Sequence, residues 1–211
     1  MYRKTLPLLA IALLTAGCAG NDSEAPEAEI TAEEPTNIIA AELMANKARF
    51  VEAMSGLSAD QWAFQEEDGR WSLSQIAEHL IKTEKQSLAG VRDGVLATEP
   101  TERQANPDSL DGFITMLLGD RTQRFQAPEG VQPQGIYATP EEAVAAFTSA
   151  RDEMIAIAEE NGEALRDHQM EHPIGATLDG HQWMLFVKAH ADRHLAQAAE
   201  VKAHADYPAS E

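Results

Sequence analysis

Trp71-Ser72-Leu73-Ser74-Gln75-Ile76-Ala77-Glu78-His79-Leu80 reads as the start of a helix with a histidine set into its apolar face. Ser72 and Gln75 have capping-box spacing, in which each side chain satisfies a backbone N–H that the first turn leaves free. Ile76, Leu80, Leu88, Val91 and Val95 continue the face at helical steps, which predicts a long helix ending near Ala97. His79 falls between Ile76 and Leu80, on the inward side.

Three further helices follow from the same reading. Upstream, Ile39, Leu43, Phe50, Met54 and Leu57 place a helix over residues 37–57. Downstream, Thr139 as N-cap, Pro140 at the first helical position and Glu142 three residues after the cap open a helix with the stripe Val144, Phe147, Met154 and Ile157; Asn161-Gly162 ends it. The last helix begins at Asp179, with Gln182 three positions on, and carries Trp183, Phe186, Val187, Ala191, Ala198 and Val201 toward Tyr207-Pro208. Residues 99–138 hold four prolines and make a crossover too long for a plain loop. A short helix near residues 110–125, with Phe113, Met116 and Leu117 on one side, would account for part of it. A crossover of this length lets helices two and three run parallel. No strand alternation and no internal repeat stand out, so the expected class is all-α, a four-helix bundle.

The 211 residues, 44% hydrophobic and 24% charged, suit one globular domain with extensions. Sixteen basic against 35 acidic residues give a formal charge of −19, which excludes the basic footprint of a nucleic-acid binder and disfavours anionic lipid headgroups. The single cysteine, Cys18, excludes an intrachain disulfide, a thiolate metal ligand and a cysteine nucleophile in the folded domain.

Residues 1–17 have the three parts of a signal peptide: Arg3 and Lys4, the apolar run Leu6 to Leu14, and small residues before Cys18. The run is too short for a permanent membrane span, which needs about 20 residues. Thr15-Ala16-Gly17-Cys18 resembles the lipobox of bacterial lipoproteins, in which the cysteine becomes the lipidated first residue; an ordinary secretory signal with an incidental cysteine is the alternative. The expectation is an exported chain, anchored by lipid to the cell envelope and facing the periplasm. Ala19, where an aspartate would retain the protein in the inner membrane, slightly favours the outer membrane. Loss of Arg3 and Lys4 leaves 14 basic and 35 acidic residues, a formal −21. Residues 18–36, with six acids, two prolines and no base, read as the lipidated cysteine and an extended acidic tether. The domain is expected over residues 37–208.

His190 and His194 stand one turn apart on the stripe that carries Trp183, Val187 and Val201, so both point at the core. A lone core histidine is commonly a hydrogen-bonded structural residue, whereas two stacked at this spacing favour a shared cation. With His79 from a facing helix, three imidazoles describe a bundle-core site with open coordination positions. Histidine ligands suit Zn, Ni, Fe or Mn without selecting among them. His168 and His172 lie off every stripe before Pro173, and His181 and His204 lie at the ends of the last helix. All four read as surface residues, with His172 the candidate for the mouth of the site. Glu78 adjoins His79 but points about 100° away, so it reads as a solvated carboxylate, with support of the site as the alternative. Gln197, one turn beyond His194, could orient a ligand as an amide partner. Ala191 stands where a thermolysin-like His-Glu-x-x-His helix has its glutamate, and no Gly-rich phosphate loop, nucleophile elbow or serine triad occurs.

The segment Trp71 to Leu80 and the segment His190-Ala191-Asp192-Arg193-His194-Leu195-Ala196-Gln197 resemble the second-helix and last-helix signatures of the DinB-like superfamily. Asp120-Arg121, Ala127-Pro128, Thr139-Pro140-Glu141-Glu142, Arg151 and His172-Pro173 extend the resemblance over about residues 38–208. It implies a four-helix bundle of up-down-down-up topology, with His79, His190 and His194 holding a divalent metal facially. Members of known activity are thiol-dependent: S-transferases for low-molecular-weight thiols, and maleylpyruvate isomerase. Two functional classes follow. One is a metal-dependent enzyme acting on a small molecule, by thiol transfer or hydrolysis; the other is a non-catalytic metal-binding or interaction lipoprotein of the envelope. A homodimer through an exposed bundle face is compatible with either.

Overall fold

A computed structural model describes residues 37–123 and 125–209. The expected signal peptide, lipidated cysteine and acidic tether, residues 1–36, lie outside the described residues. The chain is mainly helical, with long helices α1 (Ile38–Met54), α3 (Leu73–Ala89), α5 (Pro140–Asn161) and α6 (Gly180–Lys202). Two shorter helices, α2 (Ala59–Ala63) and α4 (Pro107–Gly119), and a hairpin, β1 (Gln169–His172) with β2 (Ala176–Asp179), complete it. No described helix is long and apolar enough to cross a membrane.

The helix starts follow local chemistry. Ser72 and Gln75 form both halves of a capping box at α3, and Asp179 and Gln182 do so at α6. Thr139 caps α5 with Pro140 behind it, and Asn37 caps α1. Gly162, at φ +52°, ends α5 where a side chain would be strained. Helix two reaches Ala97 as expected, but its last turns change register: a π-helical turn covers Gly90–Gly94 and a 3-10 turn Val95–Ala97. Gly90 sits against the Trp183 ring, where a Cβ would come within 2.6 Å of Cζ3. Only glycine permits that approach.

Three features depart from the expectations. The segment 169–179 is an antiparallel hairpin, not a loop, with Met170 facing Leu178 across it and Gly175, at φ +83°, closing the three-residue turn. Four-residue strands are too short to show an alternation. The crossover helix α4 buries Ile114 and Leu118, leaving Phe113 and Met116 exposed. α2 is an extra helical turn opened by its own capping box at Ser58 and Gln61.

α1 packs on α5 and α6, α3 packs on the same two helices, and α4 lies along α6. The core divides into two apolar clusters. Ile39 and Leu43 of α1, Leu88 of α3 and Val91 just after it, Met154 and Ala158 of α5, and Trp183 and Val187 of α6 form one. Phe50 and Met54 of α1, Leu73 to Ile81 of α3, Ala143 and Phe147 of α5, and Ala198 and Val201 of α6 form the other. Between them in each of three helices lies a buried polar residue: Asn46, Glu84 and Arg151. Arg151 donates from Nε and Nη2 to both carboxylate oxygens of Glu84, at 2.7 and 2.6 Å, and from Nη1 to Asn46 Oδ1 at 2.7 Å. Asn46 in turn donates to Asp192 Oδ1 of α6 at 2.6 Å. Arg151 is fully buried, so each charge depends on the other for its compensation.

Glu84→Gln should therefore cost about 3–5 kcal/mol of stability, because it leaves a buried guanidinium unpaired. The double replacement Glu84→Met with Arg151→Met should recover most of that loss. Urea unfolding of the single and double variants measures both; equal losses would show that the pair acts by packing alone.

Candidate metal centre

His79 projects from α3 and His190 and His194 from successive turns of α6, so the three rings meet where the two helices face each other. Their centroids are 5.0 Å (His79–His190), 4.7 Å (His79–His194) and 4.6 Å (His190–His194) apart. One ring nitrogen of each lies within 4.8 Å of the others, and no carboxylate belongs to the group. His79 is buried, while His190 and His194 keep an edge toward solvent.

The outer nitrogens decide which inner ones are free. His79 Nδ1 is 2.8 Å from the Val131 carbonyl, which can only accept, so Nδ1 carries the proton and Nε2 offers a lone pair. His194 Nδ1 is held in the same way by Gln197 Oε1 at 2.9 Å. His79 Nε2 and His190 Nε2 are 3.2 Å apart, close to the separation of about 3.3 Å expected for two nitrogens bonded at 2.0–2.1 Å to one tetrahedral ion. His190 Nδ1 is buried without a hydrogen-bond partner. Burial keeps all three neutral: it lowers the His79 pKa, which the Val131 contact only partly restores, and with the neighbouring imidazoles it takes His190 well below the ordinary histidine value. Burial, then the nearby His79, lowers His194 to about 3. Three neutral imidazoles, two of them braced on the outer nitrogen, fit a divalent cation.

Gln197, one turn beyond His194, meets its Nδ1 through Oε1. Glu78 does not behave as a solvated carboxylate: it is 2% exposed. It accepts from the backbone N–H of Gln134 (2.7 Å), Gly135 (2.7 Å) and Ile136 (3.0 Å), and pairs with Lys82 at 3.0 Å. Burial pushes its pKa up, and these donors outweigh that and hold it below the ordinary value. The signal for Val131 and the 134–136 backbone is absent from the side-chain pattern, because backbone groups do the work. Trp71 is a wall of the site, with its ring 4.8 Å from His79 and 6.0 Å from His194. Phe186 stacks beside His190 at 6.3 Å.

The other histidines stay out of the group. His168, half-buried, bonds the Thr98 carbonyl at 2.8 Å and ties the hairpin to the end of helix two. His172 is buried, not on the surface, with its ring 4.3 Å from Trp183 and 4.4 Å from Phe186. Phe186 thus contacts His172 on one hand and stacks beside His190 on the other. His181 and His204 are half-buried, 3.9 Å from Asp111 and 4.0 Å from Asp206 respectively. Asp192 points away from the cluster into contacts with Arg49 and Lys188.

Burial lowers the His172 pKa to about 4. The unfolded chain takes up this proton near pH 6.5 and the folded chain only near 4, so the neutral ring's contribution is full above pH 6.5 and falls between 6.5 and 4. The loss is on the order of 3 kcal/mol for this residue. His172→Leu should flatten the stability profile of the metal-free protein over that range, as urea unfolding at successive pH values would show; an unchanged slope would refute the assignment.

Among curated proteins, the chain is similar to the uncharacterized protein YuaE of Bacillus subtilis (strain 168), with 22% identity over 149 residues that cover 71% of this chain and 88% of the relative. No solved structure matches the chain. The sequence profile of the DinB superfamily matches residues 42–198, about three quarters of the chain and all three histidines of the cluster, and the chain belongs to that superfamily.

Proposed function

We propose that this protein holds one divalent metal ion on His79, His190 and His194 and acts with it on a small molecule, by thiol transfer or hydrolysis. The convergence of three neutral imidazoles, two of them braced on Nδ1 by an oxygen acceptor, carries the reading. Three nitrogen ligands leave coordination positions open, as catalytic sites require and closed structural sites do not. An ion held this way supplies Lewis acidity that eases proton loss from a water or a thiol. The chain's own part is positional: Val131 and Gln197 hold two rings in one tautomer, and Trp71 and Phe186 flank the histidines with apolar surface.

The order of the long helices is proposed as the up-down-down-up bundle of the superfamily. Its support is the sense in which they traverse the two clusters: α1 and α6 start in the cluster of Ile39 and Trp183, whereas α3 and α5 start in the cluster of Leu73 and Ala143. Export by the segment 1–17 and lipid anchoring at Cys18, facing the periplasm, complete the proposal and rest on sequence pattern. The formal charge of −19 argues against nucleic acid as a partner.

One observation favours a non-catalytic metal-binding lipoprotein as the second reading. Glu78, the carboxylate next in sequence to a ligand, has both oxygens engaged and is unavailable as a general base.

Elemental analysis of the protein purified without a His-tag should find about one equivalent of metal. Replacing any one of His79, His190 or His194 by alanine should abolish it, and His168→Ala should leave it unchanged; full metal content in any of the first three would overturn the centre. Turnover of thiol or ester substrates by the loaded protein separates enzyme from binding module. Cys18→Ser should move the protein from the membrane to the soluble fraction of the envelope, and an unchanged distribution would count against the anchor.

A further inference from the structure

The crossover between α4 and α5 is gripped by the sequence neighbours of two histidines of the cluster. Arg193, one residue before His194, donates to the carbonyls of Leu118 (3.2 Å), Asp120 (2.5 Å) and Gln123. Glu78, one residue before His79, gathers three consecutive backbone N–H groups, those of residues 134–136. Both charged side chains are spent on backbone of the opposite polarity. Lys82, one turn after Glu78, adds a bond to the Gln132 carbonyl at 2.7 Å.

At Glu78 the geometry is that of an anion nest closed on the chain's own carboxylate. Gly135, at φ +78°, supplies the left-handed residue that lets successive N–H groups converge. Oε1 takes Gln134 N–H and Lys82, and Oε2 takes Gly135 and Ile136 N–H. The strap held this way also carries Val131, whose carbonyl meets His79 Nδ1. A carboxylate is acceptor-only and matches a row of donors; an amide of the same shape brings two N–H groups of its own against them.

We propose that Glu78 is a positioning residue: by holding residues 134–136 it keeps the Val131 carbonyl on His79 Nδ1 and so sets the tautomer and rotation of the imidazole whose Nε2 faces His190. The purpose of that Nε2 rests on the metal-centre reading, but the tautomer belongs to the metal-free protein and is measured there.

The experiment is long-range 1H–15N correlation spectroscopy of the histidine rings in the metal-free protein, with zinc titration against a chelator. The wild type should show His79 in the Nδ1–H form. Glu78→Gln should shift it to a mixture containing the Nε2–H form and weaken zinc binding about 10- to 100-fold. His194, held by Gln197, should keep its tautomer and so separates a local effect from general loosening. Retention of the Nδ1–H form at His79 in Glu78→Gln would overturn the proposal, as would an equal change at His194. If Glu78→Gln fails to fold, Gly135→Val decides in its place: a Cβ there meets open space, while a branched side chain resists the left-handed backbone. The same shift at His79 supports the proposal and its absence overturns it. A wild type that binds no zinc, together with the tautomer change in Glu78→Gln, would sink the metal reading and leave this one standing.

Discussion

The buried Arg151–Glu84 pair constrains everything around it. Two opposite charges in an apolar core are tolerated only with close geometry and every remaining donor satisfied. The bidentate contact supplies the first, and Asn46 supplies part of the second. Because Asn46 also bonds Asp192, the network runs through α1, α3, α5 and α6. It favours a single register of the four helices, since sliding α3 or α5 by a turn would strand a buried charge and sliding α1 or α6 would break the Asn46 contacts. Two apolar clusters with only non-directional packing would tolerate such slips far better.

That register reaches the histidines through Asp192, which lies between His190 and His194 in sequence. An outward Asp192, tied to Asn46, Arg49 and Lys188, holds α6 at the rotation that turns the flanking histidines toward α3. Glu84 does the same for α3, five residues after His79. The two helices that carry the cluster are thus aligned by polar contacts set on their other faces. Burial then keeps the imidazoles neutral, and their lone pairs, not their charges, define the site.

The crossover completes the arrangement from outside the long helices. Its backbone is bonded to α3 by Glu78, His79 and Lys82 and to α6 by Arg193, and its own Arg121 donates to the Arg193 carbonyl. A segment of irregular structure carries many unpaired backbone groups, and charged side chains beside the histidines satisfy them. On the α3 side the strap is held by Glu78, the neighbour of the histidine that it braces.

Much of this is legible in the chain. Helical spacing and end chemistry place α3, α5 and α6 through Ser72, Thr139, Asp179 and Gly162, because those signals act within one turn. The same periodicity turns His79, His190 and His194 to one side, and one turn of helix brings Gln197 to His194. What the sequence determines by itself is therefore what depends on neighbours up to four residues away. Tertiary structure decides the rest: that Glu78 is buried in a nest of backbone N–H groups, that Val131 braces His79, that Arg151 finds Glu84 and Asn46, and that His172 lies within a hairpin against Trp183. Most are contacts between segments far apart in the chain, and none lies within one turn of helix. Several are made by backbone atoms that every residue shares, so no residue type could announce them.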